Sequence, residues 1–241
     1  MSSFVLITRH PSDCGELQAL LDPRDFTLRP YPVLRIADVH DEKAWRQVTD
    51  RLPNLTASAW LVMASPRAAD RFVDECRRHD ADRLLDLPVA AVGASTAAAA
   101  QNAGLRVELT GPGTGIGLAR QLLDRIDEPT DFFLACGRDR RPELPHALSE
   151  AGHEVLPVVV YRMDPTPARE LPPLGPSLDG VILTSPRAAE LYLAGVGGLP
   201  LPCRHWALGP TTQDAATALG IKCLIPREPT FESLAEELCK S

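Results

Sequence analysis

Two copies of one short motif carry residue types suited to holding an anion. The first is Met63-Ala64-Ser65-Pro66-Arg67-Ala68-Ala69, and the second is Leu183-Thr184-Ser185-Pro186-Arg187-Ala188-Ala189. Each follows a short apolar run, 60–62 or 181–183, and leads into an amphipathic segment. That order predicts a buried strand, a serine cap, a proline in the first turn, and then a helix. The N–H groups left unpaired in such a turn, with the helix dipole, favour an anion. A second pair of junctions, Gly93-Ala94-Ser95-Thr96 and Gly209-Pro210-Thr211-Thr212, has the same form. Ser65, Thr96, Ser185, Thr211 and Thr212 are therefore candidate anion-binding positions, a role compatible with simple helix capping. Arg9 and Arg138 follow equivalent predicted strands and are candidate carboxylate clamps. Arg67 sits in a first helical turn, where its charge opposes the dipole, so a binding role is expected there too. Arg138, Arg140 and Arg141 make the strongest local positive patch.

Tyr161 is the candidate for the chemistry itself. Its counterpart in the first repeat, described below, is Leu34. A duplicated scaffold that acts on one asymmetric event should differ where that event occurs, and a phenol can donate a proton or a hydrogen bond there.

The elements that must position these residues alternate along the chain. Apolar runs predict strands at 4–8, 60–63, 87–92, 105–109, 132–135, 154–161, 181–183, 205–208 and 221–225. Between them, helices are expected at 11–21, 44–52, 66–78, 94–103, 116–126, 143–152, 186–194, 210–219 and 231–239. The run 26–33 is extended but broken by Pro30 and Pro32, which suits an edge strand or a linker. The proline-rich run 163–176 reads as a linker. Alternation of this kind places the protein in the α/β class with parallel sheets.

The second half repeats the first. Residues 93–96 align with 209–212, and 104–106 then meet 220–222 without a gap. Thr114, Leu118, Ala119 and Leu122 meet Thr230, Leu234, Ala235 and Leu238. Residues 30–35 match 157–162, and Thr8-Arg9 sits like Gly137-Arg138. Ordered coincidences of this kind indicate tandem duplication. Two similar lobes are expected to enclose a cleft, with the strand-to-helix turns facing it. The two proline-marked extended runs, 26–33 and 154–161 (with Pro157), occupy equal places in the repeats and could each carry the chain between lobes. Lobe 1 would then be discontinuous, 1–33 plus 164–241, and lobe 2 would span 36–157, with linker strands at about 28–36 and 155–163. Two consecutive lobes without a crossing are equally compatible with the pattern.

Composition narrows the function classes. The chain has 241 residues, 44% of them hydrophobic, enough for one large or two small domains. A formal net charge of −7 gives no general attraction to nucleic acid or to an anionic membrane, so recognition of an acidic ligand must be local. No apolar run approaches the roughly 20 residues of a membrane span. The first nine residues lack the basic start and long apolar core of a signal peptide, so a cytoplasmic protein is expected. Cys14, Cys76, Cys136, Cys203, Cys223 and Cys239 are scattered and are expected to be free thiols. The six histidines show no metal-ligand spacing, and no G-x-S-x-G elbow is present. The glycine-rich run 111–117 misses both the G-x-G-x-x-G spacing and a P-loop lysine, which argues against a nucleotide site.

Taken in order and spacing, these motifs resemble the uroporphyrinogen-III synthase family. The resemblance covers essentially the whole chain. It rests on the Ser-Pro-Arg pair at Ser65 and Ser185, Val92-Gly93 with Thr96, Val160-Tyr161-Arg162, and Leu208-Gly209-Pro210-Thr211-Thr212 followed by Ala215 and Gly220. The resemblance implies two flavodoxin-like parallel-sheet lobes joined by a two-stranded linker. It implies a lyase that cyclises hydroxymethylbilane, a linear tetrapyrrole with eight carboxylates, with loss of water and inversion of the terminal ring. No metal and no organic cofactor are implied. Tyr161 would sit at the cleft and protonate or hydrogen-bond the departing hydroxyl. Hydroxymethylbilane is the expected partner, with hand-over from hydroxymethylbilane synthase as a further expectation; a monomer is expected, with no nucleic acid and no membrane. Two other classes fit parts of the pattern: a non-catalytic two-lobed binding protein for an organic anion, and a nucleotide-dependent α/β enzyme.

Overall fold

A computed structural model describes residues 3–55, 58–175 and 178–240. In chain order the strands are β1 (Ser3–Ile7), β2 (Phe26–Pro30), β3 (Leu34–Asp38), β4 (Trp60–Met63), β5 (Val89–Ala91), β6 (Val107–Thr110), β7 (Asp131–Gly137), β8 (Glu154–Pro165), β9 (Gly180–Leu183) and β10 (Arg204–Ala207). The α-helices are α1 (Gly15–Leu20), α2 (Glu42–Arg51), α3 (Ala69–Arg78), α4 (Ala94–Asn102), α5 (Gly115–Leu123), α6 (Glu143–Glu150), α7 (Pro186–Gly195), α8 (Pro210–Ala218) and α9 (Phe231–Cys239). The chain divides into two compact units. Unit 1 is Met1–Arg35 with Asp164–Ser241, and unit 2 is Ile36–Met163. β3 and β8 are the two strands within which the chain passes from one unit to the other.

Unit 1 holds a sheet of order β10-β9-β1-β2, all parallel. Side chains alternate between its faces, as the pleat requires. Val5, Ile7 and Ile182 pack with Leu17 of α1 and Phe231 and Leu234 of α9. Leu6, Val181 and Leu183 pack with Tyr192 of α7 and Ala216 of α8. Burial of both faces explains why these strands read as unbroken apolar runs.

The second sheet has order β3-β8-β7-β4-β5-β6. Leu61, Met63 and Phe133 face Trp45 of α2 and Phe72 of α3. Val62, Phe132 and Leu134 face Leu118 of α5 and Leu148 of α6. Leaving β3 aside, β8-β7-β4-β5-β6 reads 5-4-1-2-3 in chain order, a circular permutation of the doubly wound order 2-1-3-4-5 seen in flavodoxin-like sheets. Unit 1 has the unpermuted order, β2-β1-β9-β10 with Leu224 bridged to Trp206 in the fifth place. In each unit the winding reverses between the central pair, β1 with β9 and β7 with β4.

Several elements differ from the sequence reading. The strand expected at 221–225 is a single bridge at Leu224, held by Ala207 N–H to Leu224 O and Leu224 N–H to His205 O, each 2.9 Å. Pro226 removes the next donor, so pairing cannot extend further at this sheet edge. The linker expected at 163–176 begins later, because β8 stays extended through Pro165; its last residue, Pro176, lies outside the described residues. The run 26–33 resolves into β2, an edge strand ending at Pro30, followed by β3 from Leu34.

The register also corrects one match between the repeats. Ile7 lies opposite both Pro30 and Ile182, while Leu134 lies opposite both Pro157 and Val62. Ile7 and Leu134 are therefore equivalent, and the counterpart of Thr8 is Ala135, not Gly137. β7 runs two residues beyond the point where β1 stops, which places Arg138 farther along than Arg9.

Candidate functional site

The strand-to-helix turns after β4, β5 and β7 gather beside the later residues of β8 in unit 2, at the edge of a doubly wound sheet where ligands bind. A cavity of about 550 Å³ opens there. Ala64 and Ser65 line it from β4, Val92 from β5, and 113–116 from the start of α5. Leu134, 137–141 and 143–145 line it from β7 and the turn into α6, and Tyr161 and Met163 from β8.

Local sequence explains each wall. Ser65 caps the turn after β4 by accepting a hydrogen bond from Arg67 N–H at 3.3 Å. Thr114 caps α5, its hydroxyl accepting from Gly117 N–H at 3.3 Å. Gly113, at φ +92°, makes the left-handed turn that brings the chain to that cap. α6 starts at Glu143 with no side-chain cap, and because Pro145 has no N–H the open first-turn donors are those of Glu143 and Leu144, both residues of the cavity lining.

Tyr161 is 9% exposed and reaches the cavity wall. A register shift between β7 and β8 sets it opposite Gly137. Arg138 N–H donates to Tyr161 O at 2.9 Å, which ties the start of the arginine loop to the tyrosine backbone. The phenol hydroxyl has no hydrogen-bond partner among the described residues, so it is free to meet a ligand.

Arg138, Arg140 and Arg141 line the cavity and form no ion pair among the described residues. Arg140 lies beside the buried Cys136 thiol. Burial pushes that thiol up to about 11 and the Arg140 charge opposes the shift, so Cys136 stays a neutral thiol behind the arginine loop. Within −7 overall, this loop is a local basic spot over an apolar floor of Val92, Leu134, Leu144 and Met163. Such a mixture suits a flat apolar group with acidic arms. No cluster of three or more His, Cys, Asp or Glu placed to hold a metal exists among the described residues.

The structure brings Ser65, Arg138 and Tyr161 together on this cavity. Arg67 is half-buried in the turn after β4, and Thr96 is buried in α4; neither belongs to the cavity lining. The remaining sequence candidates lie in unit 1. Ser185 caps α7, accepting from Ala188 N–H at 3.1 Å. Thr212 is buried in the first turn of α8 and Thr211 is exposed beside it. Arg9 lays its guanidinium over the Phe231 ring at 4.7 Å.

Residues 113–116 line the cavity although the sequence reading weighs their glycine-rich run only as a nucleotide loop and sets it aside, and Glu143, Leu144 and Met163 line it without having been singled out. One signal could have found the glycine wall. Gly115 aligns with Phe231 in the repeat, a symmetry break as large as that of Tyr161 and Leu34.

Fold and site together define a two-unit, doubly wound α/β protein with an anion-friendly cavity at the strand carboxyl ends of one unit. A family model described as uroporphyrinogen-III synthase HemD matches residues 15–236. The chain belongs to that family, whose members are enzymes acting on a small-molecule substrate. A Methanothermobacter thermautotrophicus protein described as "Putative uroporphyrinogen-III synthase" is 28% identical over 98% of this chain and 97% of its own length. A solved uroporphyrinogen-III synthetase from Helicobacter pylori shares the fold at a TM-score of 0.66 and 17% identity, covering 100% of this chain and 99% of that one. A mutant uroporphyrinogen III synthase from Thermus thermophilus gives 0.58 at 19% identity, with 99% and 98% covered. No helix of the described residues is long and apolar enough to cross a membrane.

Proposed function

We propose that this chain carries out the uroporphyrinogen-III synthase reaction as a hydro-lyase. It cyclises hydroxymethylbilane with loss of water and inversion of the terminal pyrrole ring, giving uroporphyrinogen III for tetrapyrrole biosynthesis. Family membership supports the reaction. The observation that carries the assignment to this site is the buried Tyr161, whose hydroxyl has no partner among the described residues, in a cavity lined by Arg138, Arg140 and Arg141, none in an ion pair among the described residues, beside Asp139 and Glu143.

The substrate brings its own reactive carbon, so the protein's task is to choose a fold of the bilane. Holding reacting atoms near contact is worth up to roughly 7–11 kcal/mol in well-oriented cases. Carboxylate arms go to Arg138, Arg140 and Arg141 and to the open N–H groups at the starts of α5 and α6. Ser65 presents the turn after β4 to the same arms. The apolar floor takes the pyrrole faces. Tyr161 donates a proton to the terminal hydroxyl as its C–O bond breaks and water leaves; the azafulvene cation so formed bonds to the substituted α-carbon of the last ring, the spiro intermediate breaks that ring's old link and re-forms it at the free α-carbon, and the proton lost there restores the phenol. The substrate is received from hydroxymethylbilane synthase, and the chain acts as a monomer in the cytoplasm.

The deciding experiment incubates the protein with enzymatically made hydroxymethylbilane, oxidises the products and separates the isomers. A predominant type III product is expected. Type I alone, the product of uncatalysed closure, overturns the reading. Tight uptake of the bilane without turnover would make the chain an organic-anion binding protein instead.

A further inference from the structure

Tyr161 owes its place to a residue with no side chain. The last residue of β7 is Gly137, and the register shift sets it directly opposite Tyr161. A Cβ built on Gly137 would lie 2.6 Å from Tyr161 Cζ, 2.8 Å from Cε2 and 2.9 Å from the hydroxyl oxygen. Those are its three nearest heavy atoms, so the only group a methyl would strike at this range is the phenol. The tip of the phenol thus packs against bare backbone at the end of β7, on a side chain that lines the cavity. Gly137 itself keeps an ordinary extended conformation, since it is absent from the positive-φ glycines. Backbone freedom is therefore not the reason for a glycine here; space for the ring is.

We propose that Gly137 is a positioning residue for Tyr161, setting where the phenol hydroxyl stands relative to the departing hydroxyl of the substrate. The proposal rests on the reaction assigned above, but its structural half is readable without substrate.

That half is a thermal cycle of Gly137→Ala, Tyr161→Ala and the two together. Gly137→Ala lowers Tm in the parent, and the same change no longer lowers Tm once Tyr161 is alanine. An equal drop in both backgrounds would show that the methyl strikes something else and overturns the seat. Should Gly137→Ala alone give no folded protein, the double variant still folds; failure of both also overturns it.

The functional half reads isomers and rates. Gly137→Ala lowers kcat about ten-fold or more, the lower range for loss of general-acid assistance, with KM within about twofold of the parent. The type III fraction falls as uncatalysed closure competes. Gly137→Ala combined with Tyr161→Phe loses no more than either alone, because the two changes remove one function. A parent-like kcat in Gly137→Ala, or losses that multiply in the double variant, overturns the positioning role. A parent protein that yields only type I would defeat the assigned reaction instead, and the thermal cycle would still stand on its own.

Discussion

The crevice between the central strands is crossed by hydroxyl hydrogen bonds in unit 1 and opens on a cavity in unit 2, and few side chains separate the two. In unit 1, Thr8 Oγ1 donates to Ile182 O at 3.1 Å, Thr184 N–H donates to Thr8 Oγ1 at 3.2 Å, and Thr184 Oγ1 donates to Thr8 O at 3.3 Å. The equivalent pair in unit 2 is Ala135 and Ala64, joined by one backbone bond from Ala64 N–H to Ala135 O at 3.4 Å. Thr230 caps α9 as Thr114 caps α5, but the next residue is Phe231 in one and Gly115 in the other. Phe231 is buried under the Arg9 guanidinium, whereas Gly115 lines the cavity. The lesson is that the two units share their caps and the spatial order of their strands but differ in bulk: unit 1 carries hydroxyl stitches and a ring where unit 2 carries alanines and a glycine.

The strongest way to break this comparison is to give unit 2 the ring that unit 1 carries. Gly115→Phe should lower kcat/KM about a hundredfold, equivalent to about 2.8 kcal/mol at 1.4 kcal/mol per decade, in the isomer-resolved assay. Parent-like turnover in a folded variant would mean that the cavity is not the site. The mirror change, Phe231→Gly, should act on the fold: truncating a buried phenylalanine costs about 3–5 kcal/mol, read as a lower urea midpoint. Next in size, Arg140→Ala should raise KM by ten-fold or more, since a hydrogen bond from a charged group is worth about 1.5–3 kcal/mol. The increase should shrink at high salt. Tyr161→Phe should leave the melting curve close to the parent and slow type III formation about ten-fold or more.

Smaller effects sharpen the contrast. Ser65→Ala and Ser185→Ala each remove a helix cap and should each cost about 1 kcal/mol of stability by urea titration. Only Ser65→Ala should also raise KM, because Ser65 alone of the two lines the cavity of unit 2. The smallest expected effect is a pH dependence confined to unit 1. His205 is buried, with Nε2 2.9 Å from the Tyr192 hydroxyl and Nδ1 3.0 Å from Cys203 O. Burial lowers its pKa from 6.5, while the Cys203 carbonyl opposes the shift. The unfolded chain therefore binds the proton more readily than the native one. The stability contributed by neutral His205 is full above about 6.5 and is lost as the pH falls through the lowered native value. Urea midpoints between pH 7.5 and 5 should fall less steeply in His205→Gln than in the parent.

Much of the fold was legible because its signals are local. Ser-Pro after an apolar run announces a strand and a capped helix, and both copies form them. The α/β class follows from alternation alone. What escaped was set by pairing between distant segments. Residues 221–225 have a strand's composition but only one edge neighbour, and a proline ends their pairing. Residues 163–165 look like a linker, yet an extended segment tolerates a proline at its last position. Matching Arg9 to Arg138 by residue type slid the repeat by two, whereas the prolines Pro30 and Pro157 mark the true register. Tyr161 stood out because the repeat lacks it. Gly115 broke the same symmetry, but a missing side chain attracts less notice than an added phenol. Gly137 was invisible as a seat, since the shift that sets it against Tyr161 exists only once β7 and β8 pair.

The division of the chain also bears on how it is made. Residues 36–163 contain both cores of unit 2, so this stretch can close as soon as it has left the ribosome. β1 and β2, synthesised earlier, must wait for β9 and α9; the Thr8–Thr184 stitch alone joins residues 176 positions apart. Closure over such a span is slow, and until it happens the apolar face of Val5 and Ile7 lacks Ile182 and Phe231. The first-made segment is thus the last to find shelter, and during that interval chaperones have most to offer this protein.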